Sequence, residues 1–295
     1  MNALALDPHA YHIDLRDKVT KVGPEPGAAA AALGVLTSDP LRANPVSILQ
    51  LGLGALQLGN EGQLPLVAET VAWVERTVDE RGLIAYRFPM PHTFPLDPPW
   101  YSALAQGEAV SLLLRAAQAL DRPGLVELAE RVAAPLLDPT AGLVATTPDG
   151  PVLQEYPTDP PAHVLNGWLL ALWGLYDLAQ VPSAAARPAA EAFAAGAQAL
   201  GGRIDRYRTA AGWSLYDLYP HPLPNVASFY YHRLHVAQVR HQTELAPDPR
   251  LRAVAEEWGR AAGAPAARSV SLARKLAFRT VRPRWHRVRF SDRNR

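Results

Sequence analysis

Four segments of the chain are apolar on almost every side when they are drawn as helices. They begin at Asn44, Trp100, Pro161 and Ala227, so that consecutive segments start about 60 residues apart. Each opens with a small or polar residue and continues as a nearly unbroken apolar stretch. A helix that is apolar all round is buried in the core of a protein, and the pattern therefore predicts four buried helices.

More amphipathic segments alternate with these four. They cover residues 64–80, 124–136, 184–200 and 249–262, where apolar residues recur at helical spacing and charges occupy the other face. Val67, Val71 and Val74 show the spacing well. A buried helix followed by a solvent-facing helix, repeated along the chain, is typical of an array of helical hairpins. The predicted fold class is therefore mainly α: an incomplete α/α toroid with short β-hairpins at one rim.

Turn-rich connections separate the predicted helices. Short strands are expected at residues 83–88, at 143–147 paired with 152–156, and at 203–207 paired with 213–216, with Pro148 and Gly150 in a turn. Residues 1–40 are expected to form an extended or β-hairpin arm, residues 41–264 the toroid domain, and residues 265–295 a basic tail. Loops between repeats gather at one end of a toroid, and functional side chains are expected there.

Composition restricts the kinds of site that the protein can hold and the compartment in which we expect it. The absence of cysteine excludes disulfides, thiolate metal sites and cysteine nucleophiles, and it fits a reducing compartment. No signal peptide and no apolar stretch long enough to span a membrane is found, so we expect a bacterial cytoplasmic protein, with peripheral contact to the inner membrane as an option.

Basic residues are concentrated at the C-terminal end of the chain. Between Arg268 and Arg295 there are ten basic residues and one acid, Asp292. Such a tail suits contact with an acidic glycan or a membrane surface, and a solvated, partly disordered end is the competing interpretation. No nucleic-acid partner is expected.

Three clusters combine aromatic and polar residues where a strand ends or a helix begins. They are QEYP at 154–157, WSLYDL at 213–218 and YYHRLH at 230–235. On the toroid model all three face one cleft. Tyrosines in a cleft stack on sugar rings, donate hydrogen bonds, or exchange protons when their neighbours adjust the phenol pKa.

The segment from Asn44 to Glu257 resembles the D-glucuronyl C5-epimerases, which convert glucuronyl to iduronyl residues in heparosan and heparan sulfate. The resemblance rests on NPVSILQLGLGAL, PWYSALAQGEAVSLLLRA, QEYPTDPPAHVLNGWLLALWGLYDL, GWSLYDL and YYHRLHVAQ, in the order of the family. It implies an acidic polysaccharide substrate, no redox cofactor, no metal site among the matched residues, and a homodimer.

Carried over residue by residue, the resemblance implies that Glu155, Tyr156, Tyr216 and Tyr231 form the catalytic group. Epimerisation at C5 removes a proton next to a carboxylate and returns one to the opposite face, which requires two acid/base groups. Glu155 and Tyr231 are the candidates for the two faces.

Two positions depart from the family pattern. Tyr219 occupies the place of an arginine suited to the substrate carboxylate, and Glu108 occupies the place of an amide. If a cation is still required, Arg233 is the first candidate, with Arg87, His232 and His163 as alternatives. The predicted substrate-binding residues are Arg87, Trp100, Tyr101, Gln106, Asn166, Tyr219, His232 and Arg233.

Two rival functions remain open at the level of the sequence. A polysaccharide lyase on the same scaffold shares the first step, abstraction of the C5 proton. A non-catalytic protein that binds acidic glycans is the other alternative, because Tyr219 replaces the expected arginine.

Overall fold

Three of the four apolar segments form buried helices, whereas the fourth forms a helix that is buried along one side only, with Phe229 and Tyr230 exposed. A computed structural model describes residues 6–22, 28–39, 41, 43–90, 93–94 and 96–283. The buried helices are α3 (Pro45–Leu58), α5 (Ala103–Ala119) and α7 (Leu165–Ala179), and the one-sided helix is α9 (Phe229–Leu245). They follow two shorter helices, α1 (Arg16–Thr20) and α2 (Ala28–Ser38). Side chains define the beginning of two of them: Asn44 accepts a hydrogen bond from the Ser47 amide, and Ser228 accepts one from the Tyr231 amide.

The amphipathic segments form the partners of the four apolar segments. They are α4 (Leu64–Thr77), α6 (Leu125–Leu137), α8 (Ala186–Arg203) and α10 (Pro249–Gly263). Each packs on the helix of the apolar segment that precedes it, and contacts also join α3 to α5, α5 to α7 and α7 to α9. The mainly α fold is thereby confirmed, whereas the closure of these hairpins into a toroid stays a prediction.

Helices α5 and α7 approach each other very closely. Every residue of α5 from Ala103 to Ala117 is buried. A Cβ atom on Gly174 of α7 would lie 2.5 Å from the Cα atom of Gly107, so neither position has room for a larger residue. This contact fixes the position of α7, whose first turn carries part of the candidate site.

One of the predicted β-hairpins is confirmed. Strands β1 (Val144–Thr147) and β2 (Gly150–Leu153) pair antiparallel. The second strand begins at Gly150 and ends before residues 154–156, so the predicted bounds of 152–156 are wrong. The strand predicted at 83–88 is wrong, since Ile84 and Tyr86 form only single bridges, to Val78 and Trp100. Residues 203–207 are also not a strand.

The segment 203–207 instead ends α8 and continues as a 3-10 turn, Ile204–Tyr207. Tertiary contacts decide this conformation: the Arg203 guanidinium pairs with Asp149 at 2.8 Å, and the buried Tyr207 hydroxyl donates to the His163 carbonyl. Only a single bridge, between Arg208 and Ser214, remains of the predicted second hairpin.

The N-terminal segment also differs from the expected strand-like arm. Within its described residues no hairpin forms, and α1 and α2 are helical. The run of alanines from 28 to 32 favours a helix intrinsically. Ahead of α1 the chain is tied to α3, because Gln57 accepts from the Leu15 amide and donates to the Ile13 carbonyl.

The first part of the predicted basic tail is an ordered helix, α11 (Pro265–Val281). It packs against α10, and Phe278 on its inner face is fully buried. The rest of the tail, including Trp285 and Phe290, lies largely beyond the described residues. Among the described helices none combines the length and the apolar character needed to span a membrane.

Candidate active site

The loop between β2 and α7 presents Glu155 and Tyr156. Gln154, the first residue of this loop, is fixed on both sides, because its amide donates to the Leu143 carbonyl at 2.8 Å and its carbonyl accepts from the Ala103 amide at 2.9 Å. The β-hairpin and the start of α5 therefore set the position of the loop. Glu155 and Tyr156 are both buried.

The start of helix α7 holds the Glu155 carboxylate. Asn166 donates a hydrogen bond from Nδ2 to Oε2 at 3.2 Å, and the backbone amide of Gly167 donates a second one. A Cβ atom on Gly167 would lie 2.3 Å from the same Oε2 atom, so only glycine permits this approach. Helix amides and the helix dipole stabilise a negative charge at this end.

Burial has the opposite effect on the pKa of Glu155, and it is the larger of the two effects. Removal from water disfavours the charged form and raises the pKa of Glu155 to about 7, while the hydrogen bonds from Tyr156 and Asn166 act in the lowering direction. The nearby carboxylate of Asp217 adds to the increase. At neutral pH the group thus interconverts readily between acid and base, which is the property that general acid–base catalysis requires.

Three tyrosines surround Glu155. The Tyr156 side chain hydrogen-bonds Glu155 and also interacts with Tyr216. The rings of Tyr216 and Tyr231 meet edge to face, with 4.9 Å between their centroids. Burial raises the pKa of Tyr156 and of Tyr216 well above the usual value for a phenol, and the charge of Glu155 raises both further. Both are therefore hydrogen-bond donors at neutral pH.

Backbone contacts bring these tyrosines together from distant parts of the chain. The Tyr216 carbonyl accepts from the Leu165 amide at the start of α7, and the Tyr216 amide donates to the Asn225 carbonyl at 2.7 Å. Tyr231 lies in the first turn of α9, behind the Ser228 cap. All four residues predicted to be catalytic consequently lie in one place.

Tyr156 and Tyr231 line two cavities. The Glu155 cavity is also lined by Glu155, Asn166, Trp100 and Tyr230 and extends towards α1 and α3, where it reaches Lys18 and Gln50. The Lys275 cavity is lined by Thr93, Phe94, Tyr156, Tyr216, Asn225, Ser228, Tyr231, Lys275 and Arg279.

Two of the predicted substrate-binding residues line these cavities. Asn166 contacts Glu155 as described, and the Trp100 ring stacks on Tyr86 with 3.8 Å between centroids. The Trp100 indole NH donates to the Phe88 carbonyl, so its ring is held in place as one wall of the Glu155 cavity.

Gln106 and His232 are occupied within the protein. The Gln106 side chain accepts from the Ile84 amide and donates to the carbonyls of Gly82 and Val132. Its amide group therefore fixes the loop before α5, and the prediction that it binds substrate is not supported by its contacts.

The His232 ring stacks on Trp213 at 3.7 Å, accepts from the Ser214 amide at Nδ1 and pairs with the Trp258 carbonyl through Nε2. Burial lowers the pKa of His232 to about 4. At neutral pH it is consequently an uncharged packing residue rather than the cation required for a carboxylate.

The remaining four predicted residues line neither cavity. Arg87 is exposed, and Tyr101 accepts a hydrogen bond from Arg81 at the surface. Arg233 is exposed on α9, with its guanidinium 5.7 Å from the centre of the Phe229 ring. Tyr219 lies just behind the Lys275 cavity, with its ring centre 5.5 Å from that of Phe94.

Lys275, Arg279 and Asn225 were not predicted and do line a cavity. The sequence does indicate the position of Lys275. Ser271, Lys275 and Phe278 recur at helical spacing on one face of α11, and the residues on either side of Lys275 along that face are buried. A helix interpretation of residues 265–281, in place of a tail, directs Lys275 towards the protein.

Comparison with known proteins shows the family of the chain. A family described as D-glucuronyl C5-epimerase C-terminus matches residues 78–260, which is more than half of the chain. The chain belongs to this family. The matched region includes Glu155, Tyr156, Tyr216 and Tyr231, and it ends before α11 begins.

A relative within the same group is the D-glucuronyl C5-epimerase of Caenorhabditis elegans. It is 33% identical over 200 residues, which cover 63% of this chain and 30% of the relative. The chain thus corresponds to less than a third of the length of that protein.

Proposed function

We propose that the protein is a C5-epimerase that interconverts D-glucuronyl and L-iduronyl residues within a heparosan-like acidic polysaccharide. The observation that carries the proposal is the buried Glu155 carboxyl, with a pKa of about 7, placed among Tyr156, Tyr216 and Tyr231. Membership of the epimerase family and the name of the nematode relative support the same reaction.

In the proposed reaction Glu155, in its ionised form, accepts the proton from C5 of the uronyl residue. The electron pair of the broken C–H bond moves into the adjacent carboxylate and generates an enediolate. Tyr231 then donates its phenol proton to C5 from the opposite face and forms the new C–H bond. The resulting phenolate regains a proton from solvent, and Glu155 releases the one it accepted.

The other two tyrosines assist without exchanging the C5 proton. Tyr156, which hydrogen-bonds Glu155, holds the carboxyl in position. Tyr216 contacts Tyr231 edge to face and fixes the ring of the proton donor. Because both have strongly raised pKa values, they remain protonated and donate hydrogen bonds to the developing negative charge.

The test is incubation of the protein with heparosan in D2O, followed by NMR and by ultraviolet absorbance. Deuterium at C5, together with iduronyl signals and no unsaturated product, is the expected result. An increase in absorbance from 4,5-unsaturated ends would instead identify a lyase. Absence of both signals across a panel of uronic polymers would contradict the enzymatic proposal and leave a glycan-binding role.

A matched pair of tyrosine variants links the activity to the site. Tyr231→Phe removes the proposed proton donor and should lower the rate of iduronyl formation by roughly 100-fold or more. Tyr176→Phe removes the hydroxyl of a residue in α7 that packs on Phe193 and lines neither cavity, and it should leave the rate unchanged. Equal rates for the two variants would exclude Tyr231 as the donor.

A further inference from the structure

Helix α11 contributes positive charge to the candidate site. Among the described residues that line the Lys275 cavity, Lys275 and Arg279 are the cations, and they share that cavity with Tyr156, Tyr216 and Tyr231. The Lys275 ammonium lies 5.9 Å from the centre of the Tyr216 ring and donates to Asn225 Oδ1 at 2.8 Å. Its position is thereby fixed beside the tyrosines.

An aromatic cluster docks this helix on the loop that carries Tyr216. Phe278 is fully buried and meets the His221 ring edge-on, with 5.0 Å between centroids. His221 in turn packs on Tyr219 at 4.8 Å, and both contact Phe94. Position 219, where the resemblance implied an arginine, thus holds an aromatic residue that packs in the cluster anchoring α11.

The proposed chemistry requires a cation at this place. A uronyl carboxylate carries one negative charge when it binds and gains a second as C5 is deprotonated, so a positive group nearby stabilises the transition state more than the ground state. Arg233 and Arg87 line neither cavity, and the cation of the Glu155 cavity among the described residues is the exposed Lys18, which shares no cavity with Tyr216. Arg279, which contacts Thr93, lies one helical turn beyond Lys275.

We infer that Lys275, presented by helix α11, is the substrate-binding residue that contacts the uronyl carboxylate of the bound polysaccharide. This inference rests on the proposed function. It makes the C-terminal helix a part of the active site, although the match to the family ends at residue 260. It also assigns the choice of an acidic sugar to a residue outside the matched region.

The experiment measures binding and turnover separately. Affinity for a heparosan oligosaccharide, and for the same oligosaccharide with its carboxyl groups reduced to alcohols, is measured by titration calorimetry on the full chain. The variants are Lys275→Met, Lys275→Gln and, as a matched control on the same helix, Arg274→Met. Arg274 precedes Lys275 directly and is exposed, so its loss changes net charge equally.

We expect the affinity of both Lys275 variants for the acidic oligosaccharide to fall by roughly 10- to 100-fold, in the range of a hydrogen bond to a charged group. The reduced oligosaccharide should bind wild type and variants with the same low affinity. Arg274→Met should change affinity less than about two-fold, because an exposed charge is screened by solvent. Lys275→Gln retains an NH2 group that can donate to Asn225. A loss of affinity shared by both Lys275 variants therefore reports the removal of the positive charge and not a change in folding.

Two outcomes would overturn the inference: unchanged affinity in the Lys275 variants, or an equal loss for the acidic and the reduced oligosaccharides. Deuterium exchange at C5 by the wild type is measured in parallel. If binding depends on Lys275 but no exchange occurs, the proposed epimerase activity fails while the carboxylate contact stands. If exchange occurs and Lys275 variants retain full affinity and rate, the inference alone fails.

Discussion

Removing the Asn166 side chain should raise the pKa of Glu155 and shift the pH dependence of the reaction. Asn166 donates to Glu155 Oε2 at 3.2 Å, and this hydrogen bond acts to lower the pKa of the carboxyl. Asn166→Ala deletes that donor. The Asn166 backbone carbonyl, which accepts from Gln238, and the Gly167 amide contact are retained.

The magnitude follows from the strength of the lost interaction. A hydrogen bond to a charged group contributes about 1.5–3 kcal/mol, and about 1.4 kcal/mol corresponds to one pKa unit. Starting from a pKa of about 7 for Glu155, the variant should therefore titrate roughly one to two units higher. Since the ionised Glu155 carboxylate is the proposed base, the rate of C5 proton exchange falls as the pH drops below the pKa of Glu155.

The assay is the pH profile of kcat/KM for deuterium exchange into heparosan. The wild-type profile should rise through about pH 7, and that of Asn166→Ala through about pH 8–9. At pH 6 the variant should be roughly 10- to 100-fold slower, and the two profiles should converge at high pH. Asn60→Ala, at an exposed position after α3, serves as the control.

An inflection that stays at the wild-type pH or moves to a lower one would contradict a role of Asn166 in the ionisation of Glu155. A uniform loss of rate at every pH would also refute it, because that result would mean that Asn166 positions the substrate and does not affect the ionisation of Glu155.

Two further predictions concern stability. Glu108 is buried with a pKa raised by burial to about 8, against an ordinary value of 4.5, so the protein loses stability as pH rises from about 4.5 to 8. The free energy of unfolding of Glu108→Gln should equal that of the wild type near pH 4.5 and exceed it at pH 9 by up to about 5 kcal/mol. Equal urea midpoints for the two proteins at pH 9 would contradict this prediction. Gly174→Ala should lower the melting temperature, since its Cβ would lie 2.5 Å from Gly107 and overpacking costs about 1–3 kcal/mol. Gly202→Ala, which has ordinary contacts only, should not lower it.

The helices and the site differ in how far the sequence predicts them. Apolar periodicity identifies the eight paired helices because their burial is a property of local sequence, and the turn at Gly150 identifies the confirmed hairpin. The strand predicted at residues 203–207 is wrong because distant partners, Asp149 and His163, decide the conformation of that segment.

The substrate-binding residues are harder to predict for the same reason. Gln106 and His232 have side chains suited to a ligand, yet three-dimensional packing assigns them partners within the protein. Lys275 is distant in sequence from Tyr156, and only the docking of Phe278 brings the two to one cavity. Residue type and spacing do not reveal the internal partners of Gln106 and His232. The spacing of Ser271, Lys275 and Phe278 directs Lys275 towards the protein but does not show which loop it meets.

The most direct test of Glu155 as the catalytic base is the rate of C5 deuterium exchange in heparosan by Glu155→Gln at pH 7.5. The substituted amide keeps the size of the side chain and its hydrogen-bonding capacity but cannot accept the C5 proton. We predict a rate at least roughly 100-fold below that of the wild type, with unchanged affinity for the polysaccharide and an unchanged melting profile near pH 5, where the carboxyl is neutral. Exchange at the wild-type rate would contradict the assignment of Glu155 as the base.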